Sequence, residues 1–274
     1  MKQVLQKNSF FLKSKDPLDS SKEYLLYKDE NTGIIWTDVE HNQDHSKFYN
    51  SSNYMPHSKK KSLLGNLYSL AQKLMFVYKF KIIKKHLEFD SKILDYGSGD
   101  SNFANYLRKK NTNIETYDPL YSLIKKNKLE RQTIDYQVDM LMMWHVLEHI
   151  PNVLTELPKI AKLINKKGVL VVAVPNINSL DAKLYNKHWA GLDVPRHLYH
   201  FNHKSLINLI KRQGFSFKTK HPLPLDSYYV SILSEKNKQS VFSFIKAIII
   251  GTISNFSAIF TTNFSSSVYV FIKN

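Results

Sequence analysis

Between Lys92 and Phe103 the chain reads Lys-Ile-Leu-Asp-Tyr-Gly-Ser-Gly-Asp-Ser-Asn-Phe. The apolar pair Ile93-Leu94 ends at Asp95, glycines stand at 97 and 99, and Asn102 to Lys110 can form a helix. Strand, glycine turn and helix in this order open a doubly wound α/β domain whose turn faces a nucleotide-like ligand. Glycine admits positive φ and lets the backbone approach that ligand closely.

The α/β rhythm continues downstream. Asn113–Tyr117 reads as a second strand ending at Asp118-Pro119, and Ser122–Asn127 as a short helix. Asp139–Met143 is a strand that runs into Trp144-His-Val-Leu-Glu-His-Ile150, and Leu154–Ile164 is a helix stopped by Asn165 and Gly168. Val169–Val174 is an unbroken apolar run rich in β-branched valine, as expected of a strand buried on both faces. Loop-rich sequence then reaches Asn202. A helix from about Lys204 to Arg212 follows, capped by Gly214, with strands at Phe215–Lys220 and Ser267–Lys273.

The pattern of charge on the turn selects among ligands. A dinucleotide fingerprint needs a third glycine at position 102, which is Asn102. A pyrophosphate favours a bare helix N-terminus, and Asp100 adds negative charge there. S-adenosylmethionine has no phosphate, and its ammonium and sulfonium groups suit Asp95 and Asp100. Asp118, at the end of the second strand, is placed to accept hydrogen bonds from ribose hydroxyls.

Ile93-Leu-Asp-Tyr-Gly-Ser-Gly99 resembles motif I of class I S-adenosylmethionine-dependent methyltransferases. Asp139–Pro151 is similar to their fourth-strand motif and Gly168–Asn176 to their fifth. Trp189-Ala-Gly-Leu-Asp-Val-Pro-Arg-His-Leu-Tyr-His-Phe201 resembles a segment of one branch, the methyltransferase domain 23 group, which is related to quinone-biosynthesis O-methyltransferases. The resemblance covers about residues 91–220. It implies an α/β fold: an open, Rossmann-like sheet of seven strands, mostly parallel with an antiparallel last strand, and helices on both faces. It implies that Asp95, Gly97, Ser98 and Gly99 hold the methionine part of the cofactor and Asp118-Pro119 the ribose, with His145 at the end of the fourth strand also beside it. Three departures stand out. Ser101 replaces a motif glycine. About twenty residues separate Asp118 from Asp139, so the third strand is shortened, with Leu129–Ile134 as its remnant. Cysteine pairs that bind zinc near the N-terminus of many relatives are absent.

Two histidine clusters carry the remaining chemistry. His145, Glu148 and His149 have i, i+3, i+4 spacing, which puts them on one face of a helical turn. Shaping of the cofactor loop is favoured there over metal binding, because a histidine in the first position ill suits a hard cation; no metal is expected. Trp189, Arg196, His197 and His200 lie in the loop where an acceptor enters. Trp189 and Arg196 are expected to bind it, and His149, His197 or His200 to serve as general base; the equal alternative is a structural loop pinned by Trp189, Pro195 and Tyr199. Methyl transfer from a sulfonium is an in-line displacement, so proximity and orientation supply most of the catalysis.

The 274 residues divide, on this reading, into an N-terminal extension (1–90) and a cofactor-binding domain (91–274) with an apolar insertion at about 222–264. In the extension, Tyr24–Tyr27 and Gly33–Trp36 form a hairpin without zinc ligands; Tyr49, Tyr54 and His57 lie in polar surroundings. A helix at Leu63–Leu87 is expected to face the domain with Leu63, Leu67, Leu70, Leu74 and Val77. The formal charge of +16 comes from short, dispersed lysine runs. These suit a solvated surface better than a nucleic-acid face. The N-terminus lacks a secretory h-region, and the expected setting is cytoplasmic. Val241–Phe260 contains Lys246 and Asn255, so it is expected not to span a membrane. It packs over the site or in a dimer contact, or it lies against the inner membrane face. The expected partner is a small-molecule, sugar or lipid-linked acceptor, with the oligomeric state open. Two rivals stand beside this reading: an RNA methyltransferase, and a non-catalytic interaction protein on the same fold.

Overall fold

The computed structural model describes Leu5, residues 9–39, Phe48, and residues 63–118 and 134–274. Tyr49, Tyr54, His57, Pro119, the expected helix at 122–127 and all but the end of the third-strand remnant lie outside these residues.

The main sheet is built from β4 (Lys92–Tyr96), β5 (Asn113–Tyr117), β6 (Val138–Trp144), β7 (Ile164–Pro175), β9 (Phe215–Pro222) and β10 (Ser266–Lys273), in the order β5-β4-β6-β7-β10-β9. The first four run parallel, and β10 runs antiparallel to both neighbours. The expected terminal hairpin is therefore present. Six of the seven expected strands lie among the described residues. Side chains alternate between two cores. Leu94, Leu141, Met143, Leu170, Val172 and Tyr269 face one side with α3 (Val153–Lys162) and α5 (His203–Lys211). Ile93, Met140, Met142, Val171 and Val270 face the other, with α1 (Leu63–Lys84) and α2 (Asn102–Arg108). Burial on both faces explains why these strands read as continuous apolar runs.

A second, antiparallel sheet has the order β1 (Ser9–Lys15), β2 (Glu23–Lys28), β3 (Ile35–Thr37), β8 (Tyr199–His200). The expected hairpin is β2–β3. Neither β1 nor β8 was expected, because β8 is a two-residue strand within a loop and exists only through the pairs Ile35–His200 and Trp36–Tyr199. These pairs join the N-terminal strands to the histidine loop.

The helix at Leu63–Lys84 covers the sheet with a different face from the one expected. Leu70, Leu74 and Val77 are each more than half exposed, whereas Ile82 and Ile83 are buried. Phe76 packs 5.3 Å from Phe103 and 5.8 Å from Tyr106, between ring centroids. The helix carries two apolar stripes, and the aromatic stripe takes the core because it buries more area. The apolar insertion is a helical pair, α6 (Pro224–Asn237) and α7 (Ser243–Thr261), placed between β9 and β10. Between β7 and β8 lie one further short α-helix, α4 (Leu180–Tyr185), and two 3-10 turns at Asn186–His188 and Ala190–Leu192.

Candidate functional site

β5 lies on one side of β4 and β6 on the other, so the strand order reverses beside the glycine turn, where open α/β sheets bind ligands. Gly97 takes φ +79°, and a Cβ there would come within 2.4 Å of a Val146 methyl; no other residue fits that position without a shift. Gly99, at φ +54°, faces open space, and its N–H donates to Asp118 Oδ2 at 2.7 Å. Ser101, the departure from the motif, takes φ +57° at the start of α2. The turn therefore keeps a left-handed residue there without a third glycine. Asp95 is buried at the end of β4. Burial pushes its carboxyl up to about 7, with Lys79 pulling it down and Asp118 pushing it further up.

His145 ends β6 at φ +56°, its N–H donating to the Ala173 carbonyl. Its ring lies 3.5 Å from Glu148 Oε1 through Nδ1 and 3.3 Å from Asp226 Oδ2 through Nε2. Burial opposes protonation, but the two carboxylates outweigh it and raise His145 to about 9. His145 is thus an imidazolium at neutral pH. Two nearby groups, Lys79 and Asp226, were not picked out from sequence. Lys79 sits 4.4 Å over the Trp144 ring, and burial lowers its pKa while Asp226 and Asp95 raise it. Nothing in the sequence distinguishes it from Lys73, Lys81 and Lys84 on the same helix. Asp226 has no sequence signal, since it arrives from the insertion.

Glu148 leads from this group to the second cluster. Its carboxylate is buried, and neither oxygen has a hydrogen-bond partner among the described residues; His145 is the 3.5 Å ion contact. Burial would push it up, but His145, His149 and His197 together hold it at about 2. Glu148, His149 and His197 each offer one donor atom, all within 4.8 Å of one another. Such a set could hold a proton between imidazole and carboxylate, or a divalent cation of the kind imidazoles suit.

The histidine tautomers follow from their partners. His149 Nδ1 lies 3.0 Å from the Arg196 carbonyl and His197 Nδ1 lies 2.9 Å from the Gly191 carbonyl. A carbonyl only accepts, so each Nδ1 carries a proton and the Nε2 of neutral His149 keeps its lone pair. Thr37 donates its hydroxyl proton to the His197 carbonyl at 2.7 Å and accepts from His200 Nε2 at 3.0 Å. The rings of His149 and His197 stand edge to face at 4.5 Å. Burial, reinforced by the neighbouring His197, lowers His149 to about 4 and His200 to about 3. Both are neutral imidazoles at physiological pH.

The structure thus gathers Asp95, Gly97, Ser98, Gly99, Asp118 and His145 at the carboxyl ends of β4, β5 and β6. It gathers His149, His197 and His200 against Glu148. Trp189 and Arg196 lie inside the loop that carries them. Trp189 is buried and donates its indole N–H to Asp181 at 2.8 Å. Arg196 is buried against Asp16 at 3.0 Å and Asp193 at 2.7 Å.

No curated protein matches the chain by sequence. Among solved structures, a protein from Galdieria sulphuraria described as a sarcosine dimethylglycine methyltransferase is 14% identical at a TM-score of 0.46, over 75% of this chain and 86% of its own. A magnesium protoporphyrin IX methyltransferase from Synechocystis with bound S-adenosylhomocysteine is 10% identical at 0.48, over 83% and 92%. A coclaurine N-methyltransferase bound to N-methylheliamine and S-adenosylhomocysteine is 12% identical at 0.47, over 84% and 78%. A family model described as a methyltransferase domain (Methyltransf_23) matches residues 68–219, from the first core-packed helix through the strand after the histidine loop. The chain belongs to this family of class I S-adenosylmethionine-dependent methyltransferases, and S-adenosylmethionine is its cofactor.

Proposed function

We propose that this methyltransferase acts on a small-molecule, sugar or lipid-linked acceptor that binds over His149, His197 and His200. Asp95, Gly97, Ser98, Gly99, Asp118, Pro119 and His145 hold the cofactor in this reading. The observation that carries it is the edge-to-face pair of His149, a neutral imidazole, and His197, set beside the buried, ionised carboxylate of Glu148, whose other contact is His145. The Nε2 of His149 or His197 takes the acceptor proton as the nucleophile attacks the methyl group, and Glu148 stabilises the imidazolium that forms. Trp189 and Arg196 serve as positioning residues, since both are engaged inside the loop.

The test uses S-adenosylmethionine labelled in its methyl group, incubated with organic-soluble, aqueous small-molecule and RNA fractions of a cell extract. Label in either of the first two fractions is expected; label confined to RNA would establish the rival activity. Replacing His149 or His197 by Ala is expected to slow transfer by about 10²- to 10³-fold. Cofactor affinity should be unchanged. Rates that survive both substitutions would refute an acceptor base at this pair. A second reading, a divalent cation bound by Glu148, His149 and His197, is favoured by their 4.8 Å spacing. It predicts activity lost to a chelator and restored by one metal.

Asp95 gives a pH prediction. Its carboxyl is neutral below about 7, and a cationic cofactor beside it favours the ionised form. Binding therefore lowers its pKa. Affinity is expected to rise as pH increases toward 7 and then level off, with proton release on binding near pH 6.5. Calorimetry in buffers of different ionisation enthalpy measures that release, and its absence would remove Asp95 from contact with the cofactor's charge.

A further inference from the structure

The helix at Ser243–Thr261 has its faces reversed relative to a helix of a water-soluble core. Its buried residues are Ala247, Gly251, Ser254 and Ala258. The partner helix α6 likewise buries Ser227, Ser231 and Ser234, and the Ser227 hydroxyl donates to the Gly251 carbonyl at 3.2 Å. The two backbones approach closely: a Cβ on Gly251 would lie 2.8 Å from the Tyr228 ring and 3.3 Å from the Ser227 carbonyl. Small residues at helix spacing, with serines between, are how helices pack where apolar burial does not drive association. The large side chains point outward. Phe242 and Phe260 are 74% exposed, Phe256 64%, Ile245 60%, Ile249 52% and Ile253 48%. Together they make a continuous apolar face, and faces of this extent mark an interaction site.

The charge around this face is one-sided. From Lys236 to Asn274 the chain has no Asp or Glu, while Lys236, Lys238 and Lys246 are exposed at the end where α6 turns into α7. A second copy of the same face would bring like charges together with no acid of its own to meet them. The helix is long and apolar enough to cross a membrane by length and composition. However, the two ends of the α6–α7 insertion return to neighbouring strands, since Pro222 pairs with Ser267 across β9 and β10. Its partner α6 carries the buried Glu235 and the site residue Asp226. This arrangement suits a helix lying in the interface, not one spanning the bilayer.

We propose that the outer face of Ser243–Thr261 is a docking surface for an anionic lipid bilayer, with the phenylalanine and isoleucine side chains in the acyl boundary and the lysines on the headgroups. The surface is wired to the site. Asp226, which contacts His145, opens α6, and Ser254 on α7 donates to Asp181 at 2.7 Å, the carboxylate that also holds Trp189. Docking stands on these observations alone; only the corollary, an acceptor drawn from the bilayer, rests on the function proposed above.

Flotation of the whole protein with vesicles tests it, comparing phosphatidylcholine alone with phosphatidylcholine containing phosphatidylglycerol. Co-flotation with the anionic vesicles is expected, weakened by salt. Ile249→Asp with Phe256→Asp should weaken it by about tenfold or more per side chain. Lys236→Glu with Lys238→Glu should weaken it about fivefold per lysine and remove the anionic preference. These side chains are exposed, so thermal unfolding and calorimetric cofactor affinity should stay at wild-type values. Failure of cofactor binding would count against the functional reading, not against docking. Wild-type protein that stays unbound with both vesicle types would overturn the proposal. So would a Phe256→Asp double variant that floats like wild type. A wild-type dimer that this double variant turns into a monomer, with no vesicle binding by either, would assign the face to a second copy instead.

Discussion

Asp118→Ala is expected to weaken S-adenosylmethionine binding by about 10²- to 10³-fold or more, because one carboxylate has two jobs. It accepts the Gly99 N–H at 2.7 Å and so draws the glycine turn toward the end of β5. In the proposed site it also accepts from the ribose hydroxyls. Hydrogen bonds to a charged group contribute about 1.5–3 kcal/mol each, and losing two or three compounds. Asp118→Asn separates the jobs. An amide oxygen still accepts the Gly99 N–H, so the turn survives, while the charge seen by the ribose is gone. The expected order of affinity by calorimetry is wild type, then Asn, then Ala. Wild-type affinity in the Ala variant would remove Asp118 from the site and reopen the non-catalytic rival.

What could be read from the residues and what could not divide along a physical line. The central parallel strands were legible because β4, β6 and β7 are buried on both faces, which forces runs such as Val169–Val174. The turn was legible because Gly97 cannot be another residue beside Val146. His149, His197 and His200 could be gathered from their motifs, although the pairing of their rings and their tautomers could not. The misreading of α1 has a specific cause. Leu70, Leu74 and Val77 have sound helical spacing, but so do the aromatic residues beside them, and periodicity alone does not rank two stripes. Strand β8 and the contacts of Asp226 escaped because each depends on a partner far away in the chain. His145 and Asp226 are one such pair, and His200 and Ile35 another. The reversed face of Ser243–Thr261 escaped for a related reason. Its composition shows that it is apolar, but only packing of Gly251 against Ser227 and Tyr228 shows which side is turned out.

Arg196→Ala is expected to destabilise the fold by about 3–5 kcal/mol, the usual consequence of removing one member of a buried ion pair. That is a large share of the roughly 5–15 kcal/mol that holds a domain together. The guanidinium side chain is 1% exposed and its partners Asp16 and Asp193 are 10% and 26% exposed, so the deletion leaves two carboxylates poorly solvated. Lysine cannot replace it, because one planar fork serves two carboxylates on separate segments, whereas an ammonium is a single point charge. Arg196→Lys should recover only part of the loss. The pH dependence has a definite sign. Burial raises Asp193, but His197 and Arg196 outweigh it and hold the carboxyl below its ordinary value. Its contribution to stability is therefore present at neutral pH and fades as pH falls through the carboxylate range. The deficit of the Ala variant should accordingly be largest at neutral pH and shrink on acidification, measured as urea midpoints at the two pH values. The same experiment decides the role of the residue. An arginine that binds the acceptor would, when removed, raise KM and leave the midpoint in place. One that clamps the histidine loop to the β1–β2 turn will lower the midpoint, and with it the transfer rate, because His197 follows it directly and His149 donates to its carbonyl.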